Sequence, residues 1–242
     1  MTLELTKRQE NILEKIIWKY IKEVQPISSN FLKEEYNLEI SPATIRAELA
    51  RLDEDGFLEQ VHISGGRIPT NKAYRFFVDN LFKEDFIEFG KEEILKEAFE
   101  GFEGLKDISK FSYELTKILS SLSSNLVITY LENLDIFIKE DWQEAIKAPE
   151  FRNTKFLTKF IKLINEFEEN IYTFKEKKKE EKIKIYIGRE NPLKEKEFSI
   201  IITEVSFPRK EKGILAILGP ERMAYDKNIS LLNSLTKLLE EN

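Results

Sequence analysis

The stretch Ser41–Phe57 (SPATIRAELARLDEDGF) constrains the fold most, because it contains a helix with clear start and stop signals. Ser41 is a favourable N-cap residue, and Pro42 occupies the first helical position, where its missing N–H is not needed. Apolar side chains recur at spacings of four and three residues, at Ile45, Leu49 and Leu52. This spacing predicts one buried stripe, and Gly56 then provides a C-terminal cap that ends the helix.

The outer face of this predicted helix is unusual because small side chains occupy its middle. Two arginines and a hydroxyl group border that face. The residues concerned are Ala43, Ala47 and Ala50, with Arg46, Arg51 and Thr44 at the edges. A helix that enters a DNA major groove and reaches base edges needs such a thin face. The alternative is an ordinary amphipathic helix whose alanines serve helix propensity, and the helix by itself leaves both interpretations open.

Two helices are predicted before Ser41. Thr6 with Gln9 three residues later is a capping-box signal, and a wide apolar face follows until Pro26 stops the helix. Ser28 can cap a short second helix that ends near Asn37. Three helices with tight connections, the third carrying the thin face, predict a helix-turn-helix.

A β-hairpin is predicted directly after these helices. Phe57–Val61 has the pattern of a short strand, and residues 64–69 (SGGRIP) give a turn and a short return strand. A hairpin in this position is a wing, and it would place Arg67 at its tip, near the DNA backbone or minor groove. With a further helix that starts near Thr70, residues 1–82 are predicted to form a winged helix-turn-helix domain.

The net charge of the 242-residue chain is −6, so a DNA contact must be local. Residues 1–82 hold 11 basic and 13 acidic side chains, and the remainder holds 27 and 31. The segment Ser64–Phe77 stands out because it contains Arg67, Lys72 and Arg75 and no acidic residue. The alternative explanation of this basic cluster is a hairpin whose charges are simply solvated. An acidic remainder would suppress non-specific adhesion to DNA and still allow docking through one basic face.

The rest of the chain predicts a connecting helical region at 83–106 and a helix-flanked sheet over 107–242. An amphipathic helix from Ile108 precedes a buried strand at Leu126–Leu131, and a long helix is predicted over Phe156–Phe174. Three strand-like runs and a final helix follow, at Ile183–Gly188, Phe198–Phe207, Gly213–Gly219 and Tyr225–Leu239. The predicted fold class is therefore α+β.

Composition excludes several classes of function. The chain has no cysteine and His62 is its one histidine, so a zinc–thiolate site, a thiol nucleophile and a histidine-centred metal cluster are not expected. Neither a Walker loop nor a G-x-G-x-x-G motif occurs, and we expect neither an enzyme nor a cofactor. No apolar run approaches the roughly 20 residues of a membrane span, and the N-terminus is unlike a signal peptide. These features predict a cytoplasmic protein without membrane contact.

Both ends of the chain carry a dense set of motifs. In the first third these are LTKRQENILEKII, PISSNFL, SPATIRAEL, LDEDGFLEQVHISGGRIPT and NKAYRFFVDNLF. Near the C-terminus they are APEF, IYIGREN, FSIIITEV and GILAILGPERMAYDKNISLLNSL. Together these motifs resemble one known family, the bacterial heat-inducible transcription repressors HrcA. The spacing of SPATIR, GRIPT and YRF is more specific than the pattern of a generic winged helix.

The resemblance implies a repressor of chaperone operons that binds an inverted-repeat operator as a homodimer and depends on a GroEL-type chaperonin. Family members carry a long central stretch that completes a GAF-like domain and holds an inserted dimerisation domain. Here only Leu131–Lys147 lies between the matching segments. We therefore expect a shortened member whose reduced GAF-like sheet over 107–242 is incomplete, with a dimer contact at Phe156–Phe174 and the C-terminal helix.

The residues and the resemblance together predict a set of DNA contacts. Recognition-helix side chains should reach bases or nearby phosphates, the helix N-terminus should meet a phosphate, and basic residues of the wing and the next helix should anchor the backbone. The predicted DNA-binding residues are Ser41, Thr44, Arg46, Arg51, His62, Arg67, Lys72 and Arg75.

Two other classes of function stay open at this stage. A winged-helix regulator could be gated by a small ligand in the sheet domain, although no convergent polar set is visible among the C-terminal strands. A protein-interaction module could use the winged helix as a docking surface, and its affinity would then be indifferent to salt and to DNA sequence.

Overall fold

The computed structural model describes residues 5–37, 39–61, 65–83, 92–101, 107–140, 142–175 and 182–241. The chain divides into two compact units, Met1–Phe86 and Ile87–Asn242. His62 lies outside the described residues, so its predicted DNA contact stays a prediction from the sequence.

The described part of the first unit consists of four helices and a two-stranded antiparallel hairpin. The elements are α1 (Lys7–Glu23), α2 (Ser29–Glu35), α3 (Pro42–Glu54), β1 (Leu58–Gln60), β2 (Arg67–Pro69) and α4 (Asn71–Lys83). Thr6 and Gln9 form the reciprocal capping box at the start of α1. Ser28 and Ser41 accept a backbone N–H at the starts of α2 and α3. The three predicted helix starts are confirmed.

The core of the first unit is built from the apolar stripes of its helices. The predicted stripe of α3 is buried, as are matching faces of α1 and α4. Residues in this core are Ile12, Leu13, Ile16, Ile17, Leu32, Ile45, Leu49, Leu52, Tyr74 and Val78. Because α3 uses one side for this core, its opposite side is left for solvent or for a partner.

Gly56 ends α3 as predicted. Its φ is +75°, in the left-handed region where a residue without a Cβ is favoured. The Gly56 N–H donates to the Asp53 carbonyl (2.9 Å), and the Phe57 N–H donates to the Leu52 carbonyl (2.8 Å). These are the two hydrogen bonds of a Schellman motif, which turns the chain out of α3 and into β1.

The described part of the second unit is a five-stranded antiparallel sheet with helices on both faces. The strands are β3 (Leu126–Leu131), β4 (Ile136–Glu140), β5 (Ile183–Tyr186), β6 (Phe198–Phe207) and β7 (Glu211–Pro220), in the order β4-β3-β7-β6-β5. The helices are α5 (Glu92–Gly101), α6 (Ile108–Ser123), α7 (Trp142–Ala145), α8 (Thr154–Glu169), α9 (Ile171–Phe174) and α10 (Tyr225–Glu241). The α+β class and the three C-terminal strand runs are confirmed.

Side chains that alternate along the central strands separate the two helical layers. Ile128 of β3 and Ile200 of β6 share a buried cluster with α8 and α9. Thr129, the next residue after Ile128, hydrogen-bonds to Thr116 of α6 (2.6 Å) on the other face. Helices therefore cover both faces of the sheet, and this explains why every residue of β3 is buried.

The structure differs from the sequence prediction at two places in this unit. The short central segment, for which no strand was predicted, contributes one, because Ile136–Glu140 forms β4 and pairs with β3. The predicted long helix over 156–174 is interrupted at Asn170, whose side-chain amide donates to the Glu166 carbonyl (2.8 Å) and closes α8. α9 then begins at Ile171.

Part of the predicted connecting region 83–106 belongs to the core of the second unit. α5 packs against α10, and its Leu95 is fully buried. The Phe99 ring meets the Phe111 ring of α6 edge-on, with the ring centroids 5.7 Å apart. These contacts fix α5 on the sheet domain.

Candidate nucleic-acid interface

The exposed side of α3 has the composition that the sequence predicts. Ala43, Ala47 and Ala50 are exposed, and they leave the middle of this side thin. At its N-terminal end the Ser41 hydroxyl accepts the Thr44 N–H (3.1 Å) and lies 2.9 Å from the Thr44 hydroxyl. The first turn of α3 therefore presents two hydroxyl groups and an ordered helix start.

One edge of this side is bordered by Arg46, which leans towards α2. Its Nε donates to the Ser29 hydroxyl at 3.3 Å. A cleft of about 390 Å³ opens beside it, lined by Ser29 and Asn30 of α2 and by Gln60 and Gly65 of the hairpin. Hydroxyl, amide and guanidinium groups thus converge on one groove, as a polar ligand with several hydrogen-bonding atoms requires.

The other edge is bordered by Arg51, which is held by an acidic residue. Arg51 Nη1 lies 3.6 Å from Glu48 Oε2, and Arg8 Nη1 of α1 lies 3.4 Å from Glu48 Oε1. Both arginine side chains are largely exposed, at 56% for Arg8 and 64% for Arg51, whereas Glu48 is 7% exposed. The thin face of α3 therefore runs between two arginine edges.

Arg67 is placed differently from the prediction, which put it at the hairpin tip. Its backbone N–H and carbonyl bond to the carbonyl and N–H of Ile27, at 2.8 and 2.9 Å. Its Nε lies 3.2 Å from Asp53 Oδ2, and its side chain is 16% exposed. Arg67 therefore joins the hairpin to the chain before α2 and to α3.

Gly66 allows this close approach. A Cβ placed on Gly66 would lie 2.6 Å from three backbone atoms of Pro26 and Ile27. Contacts between carbon atoms are normally about 3.5–4.0 Å long, so only glycine lets the two backbones meet here. The turn signal in the sequence thus also marks a contact between distant segments.

Lys72 and Arg75, the predicted phosphate anchors, have partners within the first unit. Lys72 Nζ donates to the Asp55 carbonyl (2.7 Å) and lies 4.2 Å from the centroid of the Phe57 ring. An ammonium group at this position favours the C-terminal end of α3. Arg75 Nη1 pairs with Asp79 Oδ1 at 3.5 Å, one turn along α4.

Three residues of this surface were not predicted from the sequence: Glu48, which pairs with two arginines, Arg8, which is one of them, and Ser29, which holds Arg46. Glu48 left a signal, because it is an acidic residue in the stripe of α3 that otherwise carries Ile45 and Leu52. Arg8 and Ser29 left none, because their contacts join residues 40 and 17 positions apart.

The second unit contains a cleft of about 290 Å³ at one end of β6 and β7. Side chains of both signs line it, among them Glu132, Lys175, Glu204 and Lys212. Lys175 Nζ already pairs with Glu132 Oε1 at 2.6 Å. The described residues around this cleft thus carry charges of both signs, two of them already paired, and we see among them no set of donors or acceptors of one kind for a small ligand.

Metal ligands and membrane-spanning helices are the two remaining kinds of feature that bear on function. Over the described ranges, no group of three or more acidic or histidine side chains could hold a metal ion. None of the helices that the structure describes is both long enough and apolar enough to cross a bilayer.

The predicted dimer contact at Phe156–Phe174 is corrected in part. Phe160, Phe167 and Phe174 are buried in the chain's own core, so they are not available to a second copy. α10 is also buried by the sheet and by α5 and α6 along most of its length. On α8 the large apolar side chain that stays exposed is Ile161.

Comparison with known proteins places this chain in a family. Residues 78–229 match the profile described as the HrcA protein C terminal domain, which is more than half of the chain. The chain belongs to the HrcA family. The heat-inducible transcription repressor HrcA of Pelotomaculum thermopropionicum is 29% identical over 163 residues, which cover 67% of this chain and 41% of that protein. The HrcA repressor of Prosthecochloris aestuarii is 34% identical over 140 residues, 57% of this chain and 39% of that protein.

These two alignments span about two fifths of the length of those HrcA relatives. A third relative, the HrcA repressor of Thermodesulfovibrio yellowstonii, aligns over 338 positions at 24% identity and covers 97% of both chains. Because this chain has 242 residues, at least 96 of those 338 positions have no counterpart in it. That difference agrees with the predicted shortening of this HrcA-family chain.

One solved structure is similar in fold to this chain over nearly its whole length. It is a crystal structure of a hypothetical protein at 2.2 Å resolution. It matches with a TM-score of 0.75 at 19% identity, over 98% of each chain. At this identity the likeness concerns the fold alone.

Proposed function

We propose that this HrcA-family chain is a sequence-specific DNA-binding transcription repressor whose first unit is a winged helix-turn-helix. The observation that carries the proposal is the exposed side of α3, where three alanines lie between Arg46 and Arg51. The HrcA relatives are named heat-inducible transcription repressors, and this supports heat-shock genes as the target.

In this proposal α3 enters the major groove of the operator. The alanines let the helix backbone approach the base pairs closely, and Arg46 or Thr44 then reaches a base edge. Arginine binds guanine through two hydrogen bonds, which is the commonest specific contact in the major groove. The hydrogen bond from Arg46 to Ser29 restrains the guanidinium before binding, so less conformational entropy is lost on forming the complex.

The remaining candidates contact the DNA backbone and position α3. Ser41 and the N-terminus of α3 suit a phosphate, because backbone N–H groups and the helix dipole favour negative charge there. Arg67 and Lys72 hold the hairpin and the end of α3 through their internal partners and reach phosphates with their remaining N–H groups. Arg75 contributes from α4, and His62 lies in the hairpin loop.

The operator is an inverted repeat, so we propose that two copies of the chain bind it. A two-fold site requires recognition helices about 34 Å apart, or a multiple of that distance. Coupling to a GroEL-type chaperonin and action in the cytoplasm, where the chromosome lies, are part of the same proposal and come from the resemblance to the HrcA family.

Fluorescence anisotropy on two labelled duplexes tests this proposal. One duplex carries the inverted repeat of the HrcA family, the other is a scrambled duplex of equal length, and both are titrated over a range of salt concentrations. We expect the repeat to bind roughly 10³-fold more tightly or better, with two chains per duplex and a steep salt dependence. Equal affinity for the two duplexes, both without and with added chaperonin, would refute a sequence-specific repressor.

Arg46→Ala tests the assignment of the base-reading residue. It should cost about 1–3 kcal/mol of operator affinity and relax specificity at one base pair. Arg152→Ala is the matched control, because it removes the same charge from an exposed position of the second unit. A uniform loss on operator and scrambled DNA would reassign Arg46 to a phosphate contact.

A further inference from the structure

Glu48 is an acidic residue on the buried side of α3. It shares that side with Ile45, Leu49 and Leu52, and its side chain is 7% exposed. A buried carboxylate is unfavourable unless opposite charges or hydrogen bonds compensate it. The partners of Glu48 therefore indicate what the residue does.

The partners of Glu48 are two arginines that reach into solvent. Arg8 Nη1 lies 3.4 Å from Oε1, and Arg51 Nη1 lies 3.6 Å from Oε2. Among the described residues, Glu48 Oε2 is buried and has no hydrogen-bond partner. Both arginine–carboxylate distances are therefore long for ion pairs. The two guanidinium groups keep most of their N–H groups free for another anion.

We propose that Glu48 is a positioning residue that occupies Arg8 and Arg51 in place of DNA phosphates and thereby lowers the affinity of this surface for non-operator DNA. This inference rests on the proposed DNA-binding function. If both arginines moved from Glu48 to DNA phosphates, the buried carboxylate would be left without a compensating charge. One arginine therefore stays on Glu48 while the other contacts a phosphate. The net charge of the cluster is then one unit lower than that of two unoccupied arginines.

The effect matters most for complexes that lack base contacts. Binding to random DNA depends almost entirely on phosphate contacts, whereas operator binding also gains from base contacts. A restraint on phosphate-binding arginines therefore removes a larger share of the binding free energy of random DNA than of operator DNA. Glu48 thus limits binding to random DNA without touching a base.

Glu48→Gln tests the inference because it keeps the shape of the side chain and removes its charge. On a random-sequence duplex we expect roughly fivefold tighter binding, the factor for one unit charge at about 4 Å in water. The slope of log K against log salt concentration should become steeper by about 1 per bound chain. Operator affinity should rise by a comparable factor, because the same arginines meet phosphates in both complexes.

Two further variants separate this role from a structural one. Glu48→Gln combined with Arg51→Gln should return the salt slope towards the wild-type value, because the released arginine is gone. Glu169→Gln is the charge-matched control, since Glu169 is an exposed residue of α8 in the second unit, and it should leave the slope unchanged.

Failure of the Glu48 inference and failure of the proposed function give different results. If Glu48→Gln lowers stability but leaves the random-duplex affinity and the salt slope of the folded protein unchanged, Glu48 is a structural residue and the inference is overturned. The random duplex gives this answer whether or not the wild type prefers the operator. Loss of operator preference in the wild type itself would refute the proposed function instead.

Discussion

Replacing Gly66 by alanine should displace the hairpin of the first unit. The new Cβ would lie 2.6 Å from three backbone atoms of Pro26 and Ile27. Since backbone atoms cannot rotate away as a flexible side chain can, the two segments must separate by about 1 Å to restore a normal contact distance. That movement stretches the two hydrogen bonds between Ile27 and Arg67, which are 2.8 and 2.9 Å long.

The size of the effect follows from these contacts. Overpacking of this kind costs about 1–3 kcal/mol, and each weakened hydrogen bond costs up to about 1 kcal/mol. The loss of chain entropy in the unfolded state gives back about 0.4–1 kcal/mol. We therefore expect Gly66→Ala to lower the free energy of unfolding of the first unit by about 2–4 kcal/mol.

Gly56→Ala is the control for replacing a glycine in this unit. Its φ of +75° makes alanine strained, but a Cβ there would meet no atom within 4 Å. We expect it to cost only about 1 kcal/mol, the usual penalty for a left-handed alanine.

The two tryptophans of the chain make the measurement specific. Trp18 lies in α1 of the first unit and Trp142 in α7 of the second. In a Trp142→Phe background, urea unfolding followed by fluorescence therefore reports the first unit. If Gly66→Ala destabilises this unit no more than Gly56→Ala does, the close approach of the hairpin to Ile27 is not what requires glycine.

Three predictions concern the second unit. Glu150 and Arg222 pair through two hydrogen bonds, one of 2.7 Å between Nη2 and Oε2, and a double-mutant cycle in urea should give a coupling of about 1–3 kcal/mol. Burial raises the pKa of the Asp226 carboxyl, so the native state binds protons more tightly than the unfolded state does and stability falls as pH rises from about 4. Asp226→Asn should gain stability over the wild type across that rise, as unfolding at several pH values would show. Asn228 is fully buried, and within the described chain both polar atoms of its amide have no partner. Asn228→Leu should therefore raise the free energy of unfolding by about 1–3 kcal/mol.

A definite result would contradict each of these three predictions. A coupling near zero between Glu150 and Arg222 would make their pair incidental. A constant difference between Asp226→Asn and the wild type from pH about 4 to 7 would contradict the raised pKa. Destabilisation by Asn228→Leu would mean that the amide makes a contact essential to the fold.

Much of this fold was predicted from signals that lie within a few residues of one another in the sequence. The caps at Thr6, Ser28 and Ser41 satisfy backbone N–H groups of their own helices, so each helix start was predicted and confirmed. Gly56 was likewise predicted from its place just after the apolar stripe as the cap that ends α3, and its φ of +75° confirms it. Strands β3, β6 and β7 were found because they are long apolar runs that fold into the middle of the sheet.

Elements with mixed local signals were missed. β4 is an edge strand with five residues of uneven burial, so its sequence lacks the continuous apolar run of a central strand. The apolar periodicity of 156–174 continued through Asn170 because α8 and α9 both bury aromatic residues. Periodicity reports burial, and it does not report where the backbone changes direction.

The same distinction between local signals and long-range contacts applies to the candidate site. The sequence by itself determined the thin face of α3 and its bordering arginines, because helical geometry alone places residues three and four apart on one side. Only the tertiary structure decided that Arg46 bonds to Ser29, that Arg67 is turned inward to Asp53, and that Glu48 lies between two arginines. These contacts join residues on different elements, and their electrostatic energies depend on distances and burial that chain folding alone establishes.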